Sequence, residues 1–498
     1  MITYSLSLLL VLGAGLGLSC LVAFQLRSWH RLRHIPGPAL GSVSVLWMLK
    51  HALGRRYHEK LKEASDKYGT LVRIGPNELL CTDPEVLKDM SAVRSPYTKG
   101  TFYETGRVVP GEDNIVSIRD EKKHKELRAK MGPAYSGKAN DVHGLESGID
   151  RQMAKLIELF ERKYLSTSKE HRPFDFTEKS QFFALDVMGD LGFGHPFGYL
   201  SEDKDLHDFL QINASAQPVM NFLSTMPWLT NILHRWPLCL ALPKEGDQVG
   251  YGRLMGFAKG LIDARLNSNE KHHKDMMQSL IDNGLTRREL VQQVFLQTIA
   301  GSNSSAYAMA MTLLCLLSSP ASYATLQAEI DRGIAEGRIS SPISDAEARK
   351  LPYLQAVVRE GLRMYPPVTG LGFKQVPKGG DTINGYFVPE GTQVGQNFHG
   401  LCRSQEIWGP DADLFRPERW TEANEEEWRR MNGVVDLNFG SGKYSCLGKP
   451  IAMMELNKIF VELLRRFELV VVSPHVPVKT ESSVFMLASD LWLRISRR

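Results

Sequence analysis

The sequence predicts a mainly α-helical domain with small β-sheets, set behind an N-terminal transmembrane helix. Three observations carry this. Most segments repeat apolar residues with a period near 3.6, the few strand-like segments are short and lie near both ends of the chain, and the first 26 residues carry no charge. A chain of 498 residues with 43% hydrophobic and 23% charged residues can bury a large core. Its net charge of +4 is a weak bias. With no Arg/Lys-rich tract interleaved with aromatics, it gives no footing for a nucleic-acid partner.

From the N-terminus, the charge-free run over 1–26 is rich in Leu, Val, Ala, Gly and Phe. About 20 such residues suffice to cross a bilayer core as a helix. Arg27, Arg31 and Arg33 follow, with Trp29 among them. The positive-inside rule keeps that flank cytoplasmic and sends the extreme N-terminus across. A cleavable signal peptide, the rival, would place its basic residues on the other side of the apolar run. Residues 1–34 are therefore read as anchor and basic flank, and 35–498 as one domain, joined through the stiff Ile35-Pro36-Gly37-Pro38.

Residues 72–82 and 385–394 read as short strands with Gly/Pro turns. Helical periodicity is clearest over 57–68, 151–164, 182–191, 320–336, 354–364 and 450–467. Thr286 and Glu289 form a capping-box pattern. It opens an uncharged stretch over 290–327, read as one long helix buried in the domain, because Gln292, Gln293, Gln297 and the Ser302–Ser305 run would be costly in lipid. Between Phe209 and Pro243 the only formal charge is Arg235. That stretch reads either as an ordinary core helix pair or as an apolar surface resting on a membrane.

The six cysteines, at 20, 81, 239, 315, 402 and 446, form no close pair, so neither a zinc site nor a disulfide framework is indicated. Cys446 stands apart in Phe439-Gly440-Ser-Gly442-Lys-Tyr444-Ser-Cys446-Leu-Gly448. The three glycines permit a tight loop that brings backbone close to a flat ligand. A helix beginning near Pro450 offers its positive dipole end to a thiolate, and Phe439 can cover the sulfur from water. Glu360 and Arg363 are spaced to share a helix face, as are His124 and Arg128 on a strongly basic helix.

This cysteine loop resembles the ligand loop of the cytochrome P450 family. Glu360-Gly-Leu-Arg363 resembles that family's ExxR, Phe415-Arg-Pro-Glu-Arg419-Trp its partner arginine segment, and Ala300-Gly-Ser-Asn303-Ser304-Ser305 its oxygen-activating helix kink. The loop, together with SPYTKGTFYE upstream, is most similar to fungal members of the pisatin-demethylase-like kind. The resemblance implies a cytochrome P450 fold and haem b with an axial thiolate from Cys446. Phe439, Gly440, Gly442 and Gly448 would shape the cofactor loop, with His124, Arg128 and Lys374 at the haem propionates. Glu360, Arg363 and Arg419 would form a structural network, and Asn303 and Ser304 would handle protons. It also implies a separate NADPH-cytochrome P450 reductase as electron donor, docking on the basic 122–130 helix with Lys443 and Lys449. The setting would be the endoplasmic reticulum membrane, single-pass, with the domain facing the cytoplasm, and a lipophilic small molecule of fungal secondary metabolism as substrate.

Two departures stand out. Tyr444 occupies the position where the family usually carries a propionate-binding Arg, and a phenol offers at most one hydrogen bond there. Asn303 replaces the usual acid and cannot deliver a proton. The second departure leaves two alternatives open: a haem-dependent isomerase, dehydratase or cyclase without net oxygen insertion, and a non-catalytic haem-binding membrane protein.

Overall fold

The computed structural model describes residues 19, 22, 23, 25–109, 111–136, 142–268, 273–482 and 484–498. The expected anchor lies almost wholly outside them. Among the described residues no single helix is long and apolar enough to cross a membrane.

The principal helices are α1 (Tyr57–Tyr68), α2 (Glu121–Tyr135), α3 (Val142–Leu159), α4 (Phe176–Phe193), α5 (Phe209–Thr225), α6 (Gly250–Asn267), α7 (Arg287–Leu317), α8 (Pro320–Ala335), α9 (Pro352–Met364) and α10 (Lys449–Leu464). The strands are β1 (Leu71–Arg73), β2 (Glu78–Cys81), β3 (Thr98–Lys99), β4 (Phe174–Asp175), β5 (Leu371–Gln375), β6 (Asp381–Ile383), β7 (Tyr386–Val388), β8 (Gln393–Gln396), β9 (Phe467–Val471), β10 (Lys479–Ser482), β11 (Met486–Ser489) and β12 (Trp492–Arg497). They form a five-stranded sheet in the order β1-β2-β8-β5-β3, a three-stranded sheet β4-β12-β9, and the hairpins β6-β7 and β10-β11. A mainly helical domain with small sheets at both ends of the chain is what the periodicities predicted.

The core is organised around α7, which packs against α4, α6, α9 and α10. Its start is set by the predicted box: Thr286 Oγ1 accepts from the Glu289 N–H at 3.3 Å, and the Glu289 carboxylate accepts from the Thr286 N–H at 2.8 Å. Its end corrects the sequence reading. The stretch over 290–327 is two helices, not one, because Pro320 cannot continue a hydrogen-bonded helix and pushes Ser319 out of the helical region. α8 leaves at 107° to α7.

α3 starts well before the predicted 151. Gly144 and Gly148 dilute the apolar pattern there, yet Gly148 is what lets α3 meet α4: a Cβ at that position would lie 2.4 Å from Leu191 Cδ2. α4 also extends beyond 182–191. Asp175 caps it by accepting from the Thr177 N–H at 2.9 Å, and Gly194 closes it in the left-handed region.

The region 209–243 divides its two faces between the two readings. α5 packs on the Leu46–Leu53 helix and buries Ile212, Asn213, Gln217 and Asn221. Outward it exposes Val219, and the segment after it exposes Trp228, Ile232, Trp236, Leu238 and Leu240. A second tie lies below the first sheet. Arg73 of β1, fully buried, donates to the carbonyls of Trp29 (3.1 Å), Ser28 (3.1 Å), Gly75 (3.2 Å) and Pro76 (2.8 Å), fastening the residues that follow the expected anchor to the domain.

Candidate active site

The loop before α10 is held by close backbone contacts that exclude side chains. Gly440 (φ 67°) and Gly442 (φ 52°) lie in the left-handed region, and a Cβ on Gly442 would sit 2.0 Å from the Ser91 carbonyl oxygen. The Cys446 N–H donates to the Phe439 carbonyl at 2.6 Å, closing the turn. The sulfur faces the N-terminus of α10, where the N–H groups of Gly448 and Lys449 point at it. Protein packed around the sulfur pushes its thiol up, while those N–H groups and the Arg128 and Lys449 charges pull it down. The Cys446 residue as a whole remains accessible from one side. Phe439 is half-buried beside the loop, with the Lys449 ammonium 5.4 Å from its ring centroid. Gly448 is different in kind: a Cβ there would meet only the sulfur, at 3.8 Å.

α7 is buried over most of its length and half-buried at 296–301 and at Ser304. Ser304 Oγ donates back to the Ala300 carbonyl at 2.7 Å, and Ser302 does the same to Thr298 at 2.7 Å, a pattern that loosens a helix locally. Asn303 does not share the face of Ser304. It is buried against α4, its Oδ1 accepting from Gln181 Nε2 and its Nδ2 left without a partner. The two residues expected to act together on protons therefore point apart.

A buried acid reaches the neighbouring Ser305 from another helix. Glu455 of α10 is fully enclosed, and burial pushes its carboxyl up to about 8 against a hydrogen bond with Ser305; it is protonated at neutral pH. In the sequence Glu455 looks like the polar edge of an amphipathic helix, and no local signal separates it from a solvated glutamate.

The predicted propionate residues converge around Tyr444. Buried His124 packs with its ring centroid 5.4 Å from that of Tyr444, Arg128 donates to Ser445 Oγ at 2.8 Å, and Lys374 Nζ lies 4.1 Å from the Tyr444 ring centroid while donating to Tyr103 Oη at 2.7 Å. Burial and then the charges of Lys99, Arg128, Lys374 and Lys443 drive His124 down to about 3. Burial and Lys99 bring Lys374 down to about 7. Glu121 is the acid beside this crowd of cations. It accepts the Tyr444 hydroxyl and pairs with Lys443 at 3.0 Å, so the Tyr444 hydrogen bond is already spent within the protein. Lys443 also donates to the carbonyls of Ser95 and Tyr97, at 3.1 and 2.8 Å. It therefore faces inward, which corrects its expected place on an exposed docking face. Lys449 pairs with Asp436 at 2.8 Å, while Lys122, Lys123 and Lys125 of α2 remain exposed. A surplus of buried cations around Tyr444, two residues from Cys446, and a loop with no room for side chains at Gly440 and Gly442 fits a flat ligand with two carboxylates. The residues present fit haem.

The structural network is complete in itself. Glu360 receives Arg363 in a two-pronged pair at 2.9 and 2.7 Å, Arg419 Nε at 2.9 Å, Trp420 Nε1 at 2.9 Å and the Arg416 N–H at 3.0 Å. Burial would raise its pKa, but the Arg363 hydrogen bonds and the two arginine charges hold it below the usual value. Arg363 spends its other donors on the carbonyls of Cys402, Ala412 and Leu414, at 2.7, 2.6 and 2.8 Å. α9 is thereby tied to the irregular segment that leads to the cysteine loop.

The chain is 41% identical to cytochrome P450 monooxygenase ABA1 of Pyricularia oryzae (strain 70-15) over 479 residues, which cover 94% of this chain and 93% of the relative. It is 38% identical to cytochrome P450 monooxygenase abl1 of Leptosphaeria maculans over 475 residues, 94% and 83% of the two chains. It is 30% identical to cytochrome P450 monooxygenase mpaDE of Penicillium brevicompactum over 468 residues, 91% of this chain and 54% of that longer relative. With residues 36–491 matching the profile of the cytochrome P450 family, the chain belongs to that family of haem-thiolate monooxygenases.

Proposed function

We propose that the chain oxidises a lipophilic small molecule of fungal secondary metabolism at the cytoplasmic face of the endoplasmic reticulum. The observation that carries the reading is the tight Cys446 loop, with its left-handed Gly440 and Gly442, beside the cluster of cations around Tyr444 that can receive two carboxylates. Haem held there would be ligated by Cys446 and anchored at its carboxylates by His124, Arg128 and Lys374. It supplies reductive activation of dioxygen, with electrons from NADPH through a separate reductase. Around it the chain's own residues do three things. The N–H groups of Gly448 and Lys449 and the start of α10 stabilise charge on the sulfur. The apolar side chains of α7, with the strained backbone at 370–372 (φ 119°, 61° and 45°), shape the substrate space. Ser304 offers the one half-buried hydroxyl of the 303–305 segment of α7.

Membrane residence rests on the charge-free run before Arg27 and on the exposed Val219, Trp228, Ile232, Trp236, Leu238 and Leu240. The exposed lysines of α2 suit docking of an acidic reductase surface. The test is a purified chain reconstituted with reductase and NADPH. Reduced protein under carbon monoxide shows the red-shifted Soret band of a thiolate-ligated haem, and cognate substrate gives product with matched NADPH and O₂ consumption. Turnover without O₂ consumption would replace this reading with the isomerase or dehydratase alternative, which Asn303 favours by bringing no acid to the face of Ser304.

A further inference from the structure

The buried row of α5 is built the wrong way round for an amphipathic helix. Phe209, Asn213, Gln217, Asn221 and Thr225 recur at every fourth position and all are buried, while the outward side carries Val219 at 59% exposure. All but Phe209 are polar, and the far end of the row is committed within the protein. Asn221 Nδ2 donates to the carbonyls of Ala52 and Ser482, both at 3.2 Å, and Thr225 Oγ1 donates to the Phe222 carbonyl at 2.8 Å. Asn213 differs. It is 2% exposed, and among the described residues neither its Oδ1 nor its Nδ2 has a hydrogen-bond partner. A buried amide left idle at both ends is costly, and a leucine of similar shape would avoid that cost, so the amide has a use outside the polypeptide.

The row runs between two cavities. At its start Phe209 borders one with Leu254 and Phe257 of α6 and Phe295, Thr298 and Ile299 of α7. Gln217 and Asn221 border the other with Leu53, Ser482 and Leu487. Leu487 lies on β11, in the hairpin whose Phe485 bridges to Val368, just before the strained 370–372 backbone. Asn213 sits between the two cavities, one helical turn from Phe209 and one from Gln217. The row carries no charge, and the ionic groups at the second cavity, Arg55 and Glu481, are spent on each other at 2.5 Å.

We propose that Asn213 is a specificity-determining residue of this enzyme: its amide receives an uncharged group of the substrate that both gives and takes a hydrogen bond, a hydroxyl or a carboxamide. The inference rests on the oxidation of a lipophilic molecule read above and deepens it. The amide oxygen takes a proton from the substrate group and the amide nitrogen gives one in return, so both idle ends are filled at once. A molecule apolar throughout leaves them unfilled and is disfavoured on that account. An ionised head finds no counter-charge in the row. A site that demands one polar group on an otherwise lipophilic substrate also fixes which way the molecule lies. No motif marks Asn213; it falls in a stretch whose single charge is Arg235, and the helix register alone turns its amide inward.

The experiment uses the full-length holoprotein and follows the shift of its Soret band on titration with two matched pairs of probes: dodecanol with methyl dodecyl ether, and dodecanamide with its N,N-dimethyl derivative. In each pair only the first member can give a proton. The parent chain should bind that member about tenfold tighter in at least one pair, as expected when one buried hydrogen bond is made or left unmade. The pair that shows the preference names the group. Asn213→Leu should bring the two members within about twofold, while its affinity for the methylated member stays near that of the parent. Its substrate-free holoprotein should also unfold about 2 °C higher, because an idle buried amide is gone. Asn221→Leu, which strands the carbonyls of Ala52 and Ser482, should unfold at a lower temperature than the parent. Equal affinities within both pairs in the parent chain, failure of every probe to shift the band included, would overturn the proposal. So would a preference that survives in Asn213→Leu. A lower unfolding temperature for Asn213→Leu, or its accumulation without haem, would assign the amide to the fold and overturn the proposal as well. Absence of the thiolate band in the reduced carbon monoxide complex of the parent chain would instead remove the haem reading, so the two failures are distinct.

Discussion

Two buried charge clusters flank the haem site, and they are built on opposite principles. Around Glu360, one carboxylate meets two guanidinium groups, an indole N–H and a backbone N–H, and the remaining arginine donors end on carbonyls and on the Asp411 carboxylate. Around Tyr444, Lys99, His124, Arg128, Lys374 and Lys443 crowd together with Glu121 as their close acid. The first cluster is closed and has no use for a ligand. The second is open, its balance left to something the polypeptide does not encode. A buried network complete in itself holds structure, whereas a buried surplus of one sign is a binding site described by its deficit.

The sharpest break of this comparison is at the sulfur. Cys446→Ser should abolish the thiolate band of the reduced carbon monoxide complex, while Cys402→Ser, far from the ligand loop in sequence and buried, should keep it; a band surviving in Cys446→Ser would leave the open cluster without its ligand. Next in size is the closed cluster. Glu360→Gln leaves the buried Arg363 guanidinium with no acid and Arg419 with Asp411 alone, and should cost about 3–5 kcal/mol in denaturant unfolding. A loss below 1 kcal/mol would show that the network is not closed as drawn.

The open cluster should answer differently. Lys374→Met should weaken haem retention about 10–100-fold while costing the polypeptide itself little, since it relieves repulsion with Lys99; equal losses in haem retention and in unfolding would erase the distinction.

A smaller effect separates Glu455 from both. Its carboxyl is raised to about 8, above its value in the unfolded chain, so the folded form holds a proton that the unfolded form releases. Stability should fall as pH rises from about 4.5 to about 8, by about 1.4 kcal/mol per pH unit at most. Glu455→Gln should flatten this dependence in urea titrations at pH 5.5, 6.5 and 7.5, and parallel curves for the two proteins would show that the carboxyl is not buried as a neutral acid.

Much of the closed cluster was legible in the sequence. Glu360 and Arg363 are neighbours on one helix turn, and Arg419 follows within a local motif, so spacing carried most of the geometry. The cysteine loop was legible for the same reason: its glycines act over distances of a few residues. Less could be read where contacts join distant segments. Lys99 meets Lys374 through the pairing of β3 with β5, Glu455 gains its meaning from Ser305, and Asn303 from Gln181 of α4, which turned it away from the face it was expected to share with Ser304. Helix limits were missed where packing overrides pattern. α3 runs through Gly148 because α4 comes too close there for a side chain. The start of α8 at Pro320 was legible in its own periodicity, but the absence of charge over 290–327 ran it together with α7.

The fastening of Arg73 to the backbone of Ser28 and Trp29 has a practical consequence for choosing where a shortened chain begins. Its guanidinium is fully buried and uses the carbonyls of Ser28 and Trp29 as two of its four acceptors. A chain shortened to begin at residue 25 keeps that set whole. One shortened to begin at residue 35 deletes half of it and strands a cation in the interior, beneath the sheet whose far edge carries Lys99 and Lys374. The place to cut is therefore decided by where the guanidinium finds its oxygens, at Ser28 and Trp29, and not by the proline joint at 35–38.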